Sequence, residues 1–266
     1  MQTSKSVLLA LPENTRVLFE CIRHAHGIEN FILVGGTALA LRLQHRLSED
    51  LDFMTTGPIN RDAVINVLNY LYENGYKKFT KIENTHKKLE FSTEGHDDED
   101  YSQNWRIDGV KLSFFSKLVQ PTSAQDALVA RLKSGTVPGV DCGLIEVATE
   151  SCLFSLKSQV VYERLTSRDL FDLKVLIETG RYSFDDLLSR AHELGANPEV
   201  VKERIAVGDL RVNDPPVNTV YGETVDIQMI RNWFAEQINE FERRLAETAQ
   251  MPHQTADHRV RRPGRK

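Results

Sequence analysis

The sequence has few cysteines, no long apolar run and no excess of positive charge. Its three cysteines, Cys21, Cys142 and Cys152, are widely separated in 266 residues and lack the spacing of metal ligands. A disulfide framework or a zinc site is therefore not expected. The early apolar run 7–11 is too short for a secretory signal, and no stretch approaches the roughly 20 apolar residues that cross a bilayer. We predict a soluble, cytoplasmic protein with reduced thiols and no membrane partner.

The charge balance argues against a protein whose whole surface binds nucleic acid. The chain has 33 Lys and Arg against 38 Asp and Glu, a formal net charge of -5. Any contact with nucleic acid must then come from a local basic patch. The densest basic cluster is the tail 259–266, which either helps to attract RNA or is an ordinary disordered charged terminus.

The first patterned region predicts a strand, a glycine turn and a helix. A helical spacing of apolar residues covers 14–25, and the β-prone run Phe31–Val34 follows it. Gly35 and Gly36 end that run, and residues 38–43 are strong helix formers.

Next comes a short strand with two faces. Leu51 and Phe53 alternate with Asp50 and Asp52, and successive side chains of a strand point to opposite faces. The two carboxylates are therefore predicted to project together, away from the two apolar side chains.

Patterning and caps predict the remaining elements. Further strands are expected at 77–82, 88–92, 110–115 and 144–148, with an acidic surface loop at 94–104. Helices are expected at 61–74, from 123 onwards, at 150–164 after a Thr149 cap, from a Ser167 cap to 179, at 184–194, at 198–207 and at 225–249, with a loop at 209–223.

Two short motifs could carry chemistry, and each has an ordinary structural explanation. Gly35, Gly36 and Thr37 precede a helix N-terminus, where bare N–H groups favour phosphate, but a glycine pair is also a common tight turn. Asp50 and Asp52 are hard oxygen ligands suited to magnesium, but an Asp-x-Asp is also a common solvated edge.

The order of these motifs resembles a known family. Residues 31–41 followed by His45-Arg46-x-Ser48-x-Asp50-Leu51-Asp52-Phe53 are similar to the signature of the AbiEii/AbiGii toxin-like nucleotidyltransferases, in the DNA polymerase beta-like superfamily. The spacing between the glycines and the carboxylates is slightly long for the superfamily. The resemblance resumes at Leu156-Lys157 and in the run 164–173, Arg-x-x-x-Arg-Asp-x-x-Asp-Leu. It spans most of residues 30–180.

The resemblance implies an α/β (α+β) fold with a small mixed sheet. Helical periodicity dominates after Pro121, so we predict a nucleotidyltransferase core at 1–120 and a mostly helical region at 121–250 that completes the active site. Residues 251–266 have no apolar periodicity and are predicted to form a disordered basic tail.

The resemblance also implies roles for residues in the first motif region. Gly35, Gly36 and Thr37 would contact a nucleoside triphosphate, with Arg46 and Ser48 as further nucleotide-binding residues. The sequence alone allows two interpretations of Arg46, a contact with phosphate or an ion pair with nearby Asp50.

Four residues would be catalytic. Asp50 and Asp52 would bind Mg²⁺, or Mn²⁺ in its place, and Lys157 would neutralise phosphate charge. Asp169 would be an active-site carboxylate, either a base or a further metal ligand. Without the resemblance, Lys157 reads as an exposed helix lysine and Asp169 as a first-turn acid stabilised by the helix dipole.

One departure from the superfamily concerns the third metal ligand. Ser113 stands on the predicted strand where a third carboxylate is often found, and Glu90 is a substitute that reads equally well as a solvent-facing strand residue. A one-metal site completed by water is a further alternative.

The activity implied is transfer of a nucleoside monophosphate from a triphosphate to an acceptor hydroxyl, with RNA such as tRNA as acceptor. The family implies the toxin of a bacterial toxin–antitoxin or phage-defence (abortive infection) pair, with a cognate antitoxin. The alternatives are nucleotidylation of protein, and a degenerate member that binds nucleotide or a partner without turnover.

Overall fold

The computed structural model describes residues 8–83, 97–117 and 122–250 and confirms the α/β fold class. The predicted strand 88–92, Glu90 and the tail 251–266 lie outside these residues. The helices within them are α1 Glu13–Ile22, α2 Gly35–Leu43, α3 Arg61–Glu73, α4 Thr122–Arg131, α5 Glu150–Glu163, α6 Ser167–Glu178, α7 Phe184–Glu193, α8 Pro198–Val207 and α9 Ile227–Gln250. The strands are β1 Ile32–Val34, β2 Leu51–Thr55, β3 Phe79–Lys81, β4 Ser102–Ile107, β5 Val110–Ser116, β6 Glu146–Val147, β7 Val217–Asn218 and β8 Thr224–Val225.

Six of these strands form one mixed sheet, in the order β3-β4-β5-β2-β1-β6. β1 runs antiparallel to β2, while β2 and β5 are parallel. In this register Asp52 lies beside Val34 on one side and Ser113 on the other. The centre of the sheet therefore brings the predicted metal ligand next to the serine that replaces a carboxylate.

Alternation along β2 and β5 separates an apolar face from a polar one. Leu51, Phe53, Leu112 and Phe114 are fully buried and belong to the hydrophobic core. Side chains of registered partners in a parallel pair share a face, so Asp52 and Ser113 lie together on the opposite face. Burial of the four apolar side chains fixes which way the carboxylate points, because a one-residue slip would turn it into the core.

The helices that follow the sheet pack against the glycine-initiated helix. α2 contacts both α5 and α6. Thr149 caps α5, as predicted, by accepting from the Cys152 N–H. The cap of α6 is Thr166, one residue before the predicted Ser167, and it accepts from the Asp169 N–H. None of the helices in the described ranges is both long and apolar enough to cross a membrane.

Two predicted loops contain strands. The acidic loop was predicted to extend to residue 104, but β4 begins at Ser102 and pairs with β5. Asp108 and Gly109, both at positive φ, form the tight turn of this hairpin, and an Asp-Gly pair is a strong hairpin signal. The predicted loop 209–223 also includes β7 of a small hairpin.

Candidate active site

The carboxylate pair, Asp50 and Asp52, lies at the start of β2 and is half-buried. Within the described residues, neither carboxylate accepts a hydrogen bond or forms an ion pair. Burial, and after it the negative charge of Asp52, raises the pKa of Asp50 above its ordinary value, while Lys111 and Arg168 act in the opposite direction. The pair is thus a concentration of negative charge that a cation would stabilise.

Gly35 leaves room for Asp52. Its φ of 68° is in the left-handed region that favours glycine, and a Cβ there would lie 2.9 Å from the Asp52 carboxylate oxygen Oδ2. α2 begins at this glycine, and its N-cap residue Val34 provides no side-chain cap. The carboxylate therefore faces the uncapped start of a helix.

Thr37 and Ser48 fix the loop that carries the carboxylate pair. Thr37 is buried, and its hydroxyl donates to the carbonyl oxygen of Asp50. Its Oγ1 also lies 2.9 Å from the Ser48 hydroxyl oxygen. The Thr37 hydroxyl is thus used within the protein, and its predicted contact with a triphosphate stays a prediction.

A buried ion cluster contains three further predicted residues, Arg46, Lys157 and Asp169, together with His45 and Asp172. Asp172 is at its centre and fully buried. Its Oδ1 accepts from Arg46 Nε at 2.6 Å and its Oδ2 from Arg46 Nη2 at 2.9 Å. Its other partners are His45 Nε2 and Lys157 Nζ, each 2.7 Å away. Arg46 is therefore paired with Asp172, not with Asp50 as one of its two readings expected.

Lys157 and Asp169 complete the ion cluster. Lys157 Nζ lies 2.6 Å from Asp169 Oδ1, and the other oxygen of Asp169 accepts from the Thr166 hydroxyl at 2.6 Å. The two side chains are 8% and 3% exposed. Lys157 is therefore not the exposed helix lysine that its own sequence context favours, whereas Asp169 does lie in the first turn of α6, where it is buried.

Opposite charges in the ion cluster stabilise one another against the cost of burial. Burial by itself would raise the pKa of Asp172, but Arg46 and Lys157 hold it well below its ordinary value. Burial would likewise lower the pKa of Lys157, but Asp169 and Asp172 raise it. Every member with a shifted pKa is therefore held in its charged form.

Gly36 accommodates Arg46. A Cβ at Gly36 would lie 2.3 Å from Arg46 Nη2 and 3.1 Å from the Ser48 hydroxyl oxygen. The second glycine of the pair is thus required by the arginine that passes behind it. This packing is independent of the predicted contact between Gly36 and a triphosphate, which stays a prediction.

The structure divides the predicted site residues between these two groups. Gly35, Asp50 and Asp52 lie together, whereas Arg46, Lys157 and Asp169 lie in the ion cluster, with Gly36, Thr37 and Ser48 between them. The sequence motifs assign no role to Asp172, the residue that forms ion pairs or hydrogen bonds with three other members of the cluster. The signal was present, because Asp169 and Asp172 are three apart on one helix and so share a face.

The register places an oxygen beside Asp52 where a third ligand would be useful. Ser113 is 3% exposed, and its Oγ has no hydrogen-bond partner in the structure. Across the described part of the chain, no group of three His, Cys, Asp or Glu side chains could hold a metal ion. Two carboxylates and a hydroxyl are all oxygen donors, as magnesium prefers, and magnesium commonly keeps water as its remaining ligands.

A known family matches the part of the chain that carries the carboxylate pair. Residues 16–133 match the family model described as nucleotidyl transferase AbiEii toxin, type IV toxin–antitoxin system. The matched region contains the carboxylate pair, both glycines and β5, but ends before Lys157 and Asp169. No curated protein matches the chain.

Proposed function

Because residues 16–133 match the model of the nucleotidyl transferase AbiEii toxin family, we propose that the chain is a divalent-cation-dependent nucleotidyltransferase acting on RNA. It moves a nucleoside monophosphate from a triphosphate to an acceptor hydroxyl, as the toxin of a toxin–antitoxin pair with a cognate antitoxin. The main structural support is the unpaired state of Asp50 and Asp52 at the uncapped start of α2.

The carboxylate pair would hold Mg²⁺ or Mn²⁺, with the Ser113 hydroxyl as the neighbouring oxygen donor. When bound, such an ion supplies Lewis-acid stabilisation of charge on the phosphate oxygens. Gly35 supports this assignment, because the absence of a side chain there keeps the Asp52 carboxylate open to a ligand.

The N-terminus of α2 would receive the triphosphate. The first N–H groups of a helix have no partner within the helix, and the helix dipole favours negative charge there. Gly35 and Gly36 allow phosphate to approach this backbone closely. Thr37 and Ser48 would contribute mainly by holding the Asp50 loop, through the hydrogen bonds they already make.

In the proposed reaction, an acceptor hydroxyl oxygen forms a bond to the α-phosphorus. The bond from that phosphorus to the bridging oxygen breaks, pyrophosphate leaves and the hydroxyl proton passes to solvent water. Arg46, Lys157 and Asp169 would act from behind the site, because their charges are already satisfied within the ion cluster. They fix the position of the loop that precedes the carboxylates.

The test is incubation of the full chain with Mg²⁺, each labelled nucleoside triphosphate in turn, and either total RNA or cell protein. We expect label in RNA that Asp52→Ala abolishes and that Asp62→Ala, at an exposed position on α3, leaves unchanged. Label in protein alone would establish protein nucleotidylation instead. Nucleotide binding without label in either pool would identify a non-catalytic family member.

A further inference from the structure

Arg46 and Lys157, the two cations predicted to contact phosphate, already form ion pairs with carboxylates. Arg46 is 3% exposed and makes a two-point contact with Asp172. Lys157 is 6% exposed and lies within 2.7 Å of both Asp169 and Asp172. A phosphate could reach either cation only by breaking a buried ion pair, which is costly. A side-chain cation that contacts a triphosphate at the carboxylate pair would therefore be a residue other than these two.

β5 provides a lysine at the required position. Leu51 and Leu112 are registered partners in the parallel pair of β2 and β5. Extending this pairing by one residue places Asp50 beside Lys111, just as Asp52 lies beside Ser113. Because side chains alternate along both strands, these four residues lie on the same face of the sheet.

Lys111 is near the carboxylate pair without being bound by it. The lysine is half-buried, and within the described residues it forms no ion pair or side-chain hydrogen bond. Its registered neighbour on β4 is Arg106, which donates to the Gly109 carbonyl oxygen at 3.0 Å.

We infer that Lys111 is a phosphate-binding residue of this site and contacts the triphosphate held beside Asp50 and Asp52. The inference rests on the proposed function, because it assumes that a triphosphate binds there. A lysine ammonium is a compact point charge on a flexible stem, suited to a phosphate group whose position changes as pyrophosphate leaves. With Ser113, it gives β5 a direct part in the site.

The inference is tested by binding of inorganic tripolyphosphate with Mg²⁺, which avoids any dependence on the nucleobase. Calorimetric titration of the full chain would compare Lys111→Met with Lys78→Met, an exposed lysine outside the site. We expect Lys111→Met to weaken binding about 10- to 100-fold, as for loss of a hydrogen bond to a charged group. Lys78→Met should bind like the unmodified chain, and Lys111→Arg should recover part of the affinity.

Two further measurements separate the possible failures. Lys111→Met should keep the melting temperature of the unmodified chain, whereas Lys157→Met should lower it, because it leaves Asp169 and Asp172 without their lysine. Unchanged tripolyphosphate binding by Lys111→Met would overturn the inference, and if RNA labelling persists the proposed function still stands. Failure of the unmodified chain to bind tripolyphosphate would overturn the inference whatever its labelling, and failure to label RNA would overturn the proposed function whatever its binding.

Discussion

The guanidinium of Arg46 and the carboxylate of Asp172 form a two-point ion pair between residues 126 apart in the sequence. One partner follows α2 and the other lies in the middle of α6. The pair therefore joins the loop before the carboxylates to the helices that follow the sheet. Arg46 also donates to the Leu47 carbonyl oxygen at 2.9 Å, which fixes the backbone of the same loop.

Replacement of Asp172 by asparagine should strongly destabilise the protein. The change leaves the positive charges of Arg46 and Lys157 buried without their common carboxylate, a loss that costs about 3–5 kcal/mol in comparable pairs. Urea unfolding measures the free energy directly. Asp185→Asn, in an exposed pair with Arg244, is the matched control and should leave the unfolding midpoint in place. Equal midpoints for the two variants would contradict a structural role for the ion cluster.

The same pair predicts sensitivity to acid. The pKa of Asp172 is held well below its ordinary value, so its stabilising contribution is complete above the unfolded pKa of about 4. It is lost as the pH falls through the lower folded pKa, because the unfolded state then binds the extra proton. Below pH 4, the urea midpoint should fall less steeply with pH in Asp172→Asn than in the unmodified chain. The slopes of the unfolding free energy against pH should differ by about one bound proton. Parallel profiles would show that Asp172 contributes nothing to the acid response.

Gly36→Ala should destabilise the protein through Arg46. The added Cβ would lie 2.3 Å from Arg46 Nη2, and overpacking of this kind costs about 1–3 kcal/mol. Gly57 has open space around its Cβ position, so Gly57→Ala should change stability by less than about 0.5 kcal/mol. Urea unfolding of both variants decides the point. A fully stable Gly36→Ala that still loses tripolyphosphate binding would assign this glycine to phosphate alone.

Asp50→Asn should separate stability from activity. Because burial and Asp52 raise the pKa of Asp50, its ionised form is less favourable in the folded protein than in the unfolded one. The variant should therefore melt higher near neutral pH in EDTA, by about 2–4 °C for each kcal/mol regained. The gain should shrink as the pH falls below the raised folded pKa and vanish below the unfolded pKa of about 4, where the carboxyl is neutral in both states.

The same variant should lose about 100-fold or more of RNA labelling, since a metal ion supplies several kcal/mol of charge stabilisation. Asp62→Asn, exposed on α3, should change neither the melting temperature nor the labelling. A lower melting temperature for Asp50→Asn would show that this carboxylate stabilises the fold instead of straining it.

Local patterns predicted the elements that carry the site. Alternation of Leu51 and Phe53 with Asp50 and Asp52 predicted β2, and Thr149 predicted the start of α5. Each signal lies within a few residues of its effect, because it depends on the backbone period or on a cap. β4 was missed because the acidic residues before it dominated the pattern, although the Asp108-Gly109 turn marked its hairpin.

The sequence by itself determined the elements that carry the site, the face on which the carboxylate pair projects and, through its resemblance to the family, the kind of chemistry to expect. Only the tertiary structure decided the partners. Pairing of β2 with β5 places Ser113 beside Asp52, and packing of α2 against α6 brings Asp172 to Arg46. Register between distant strands and the contacts of a buried charge depend on the whole packed core, so no local pattern encodes them.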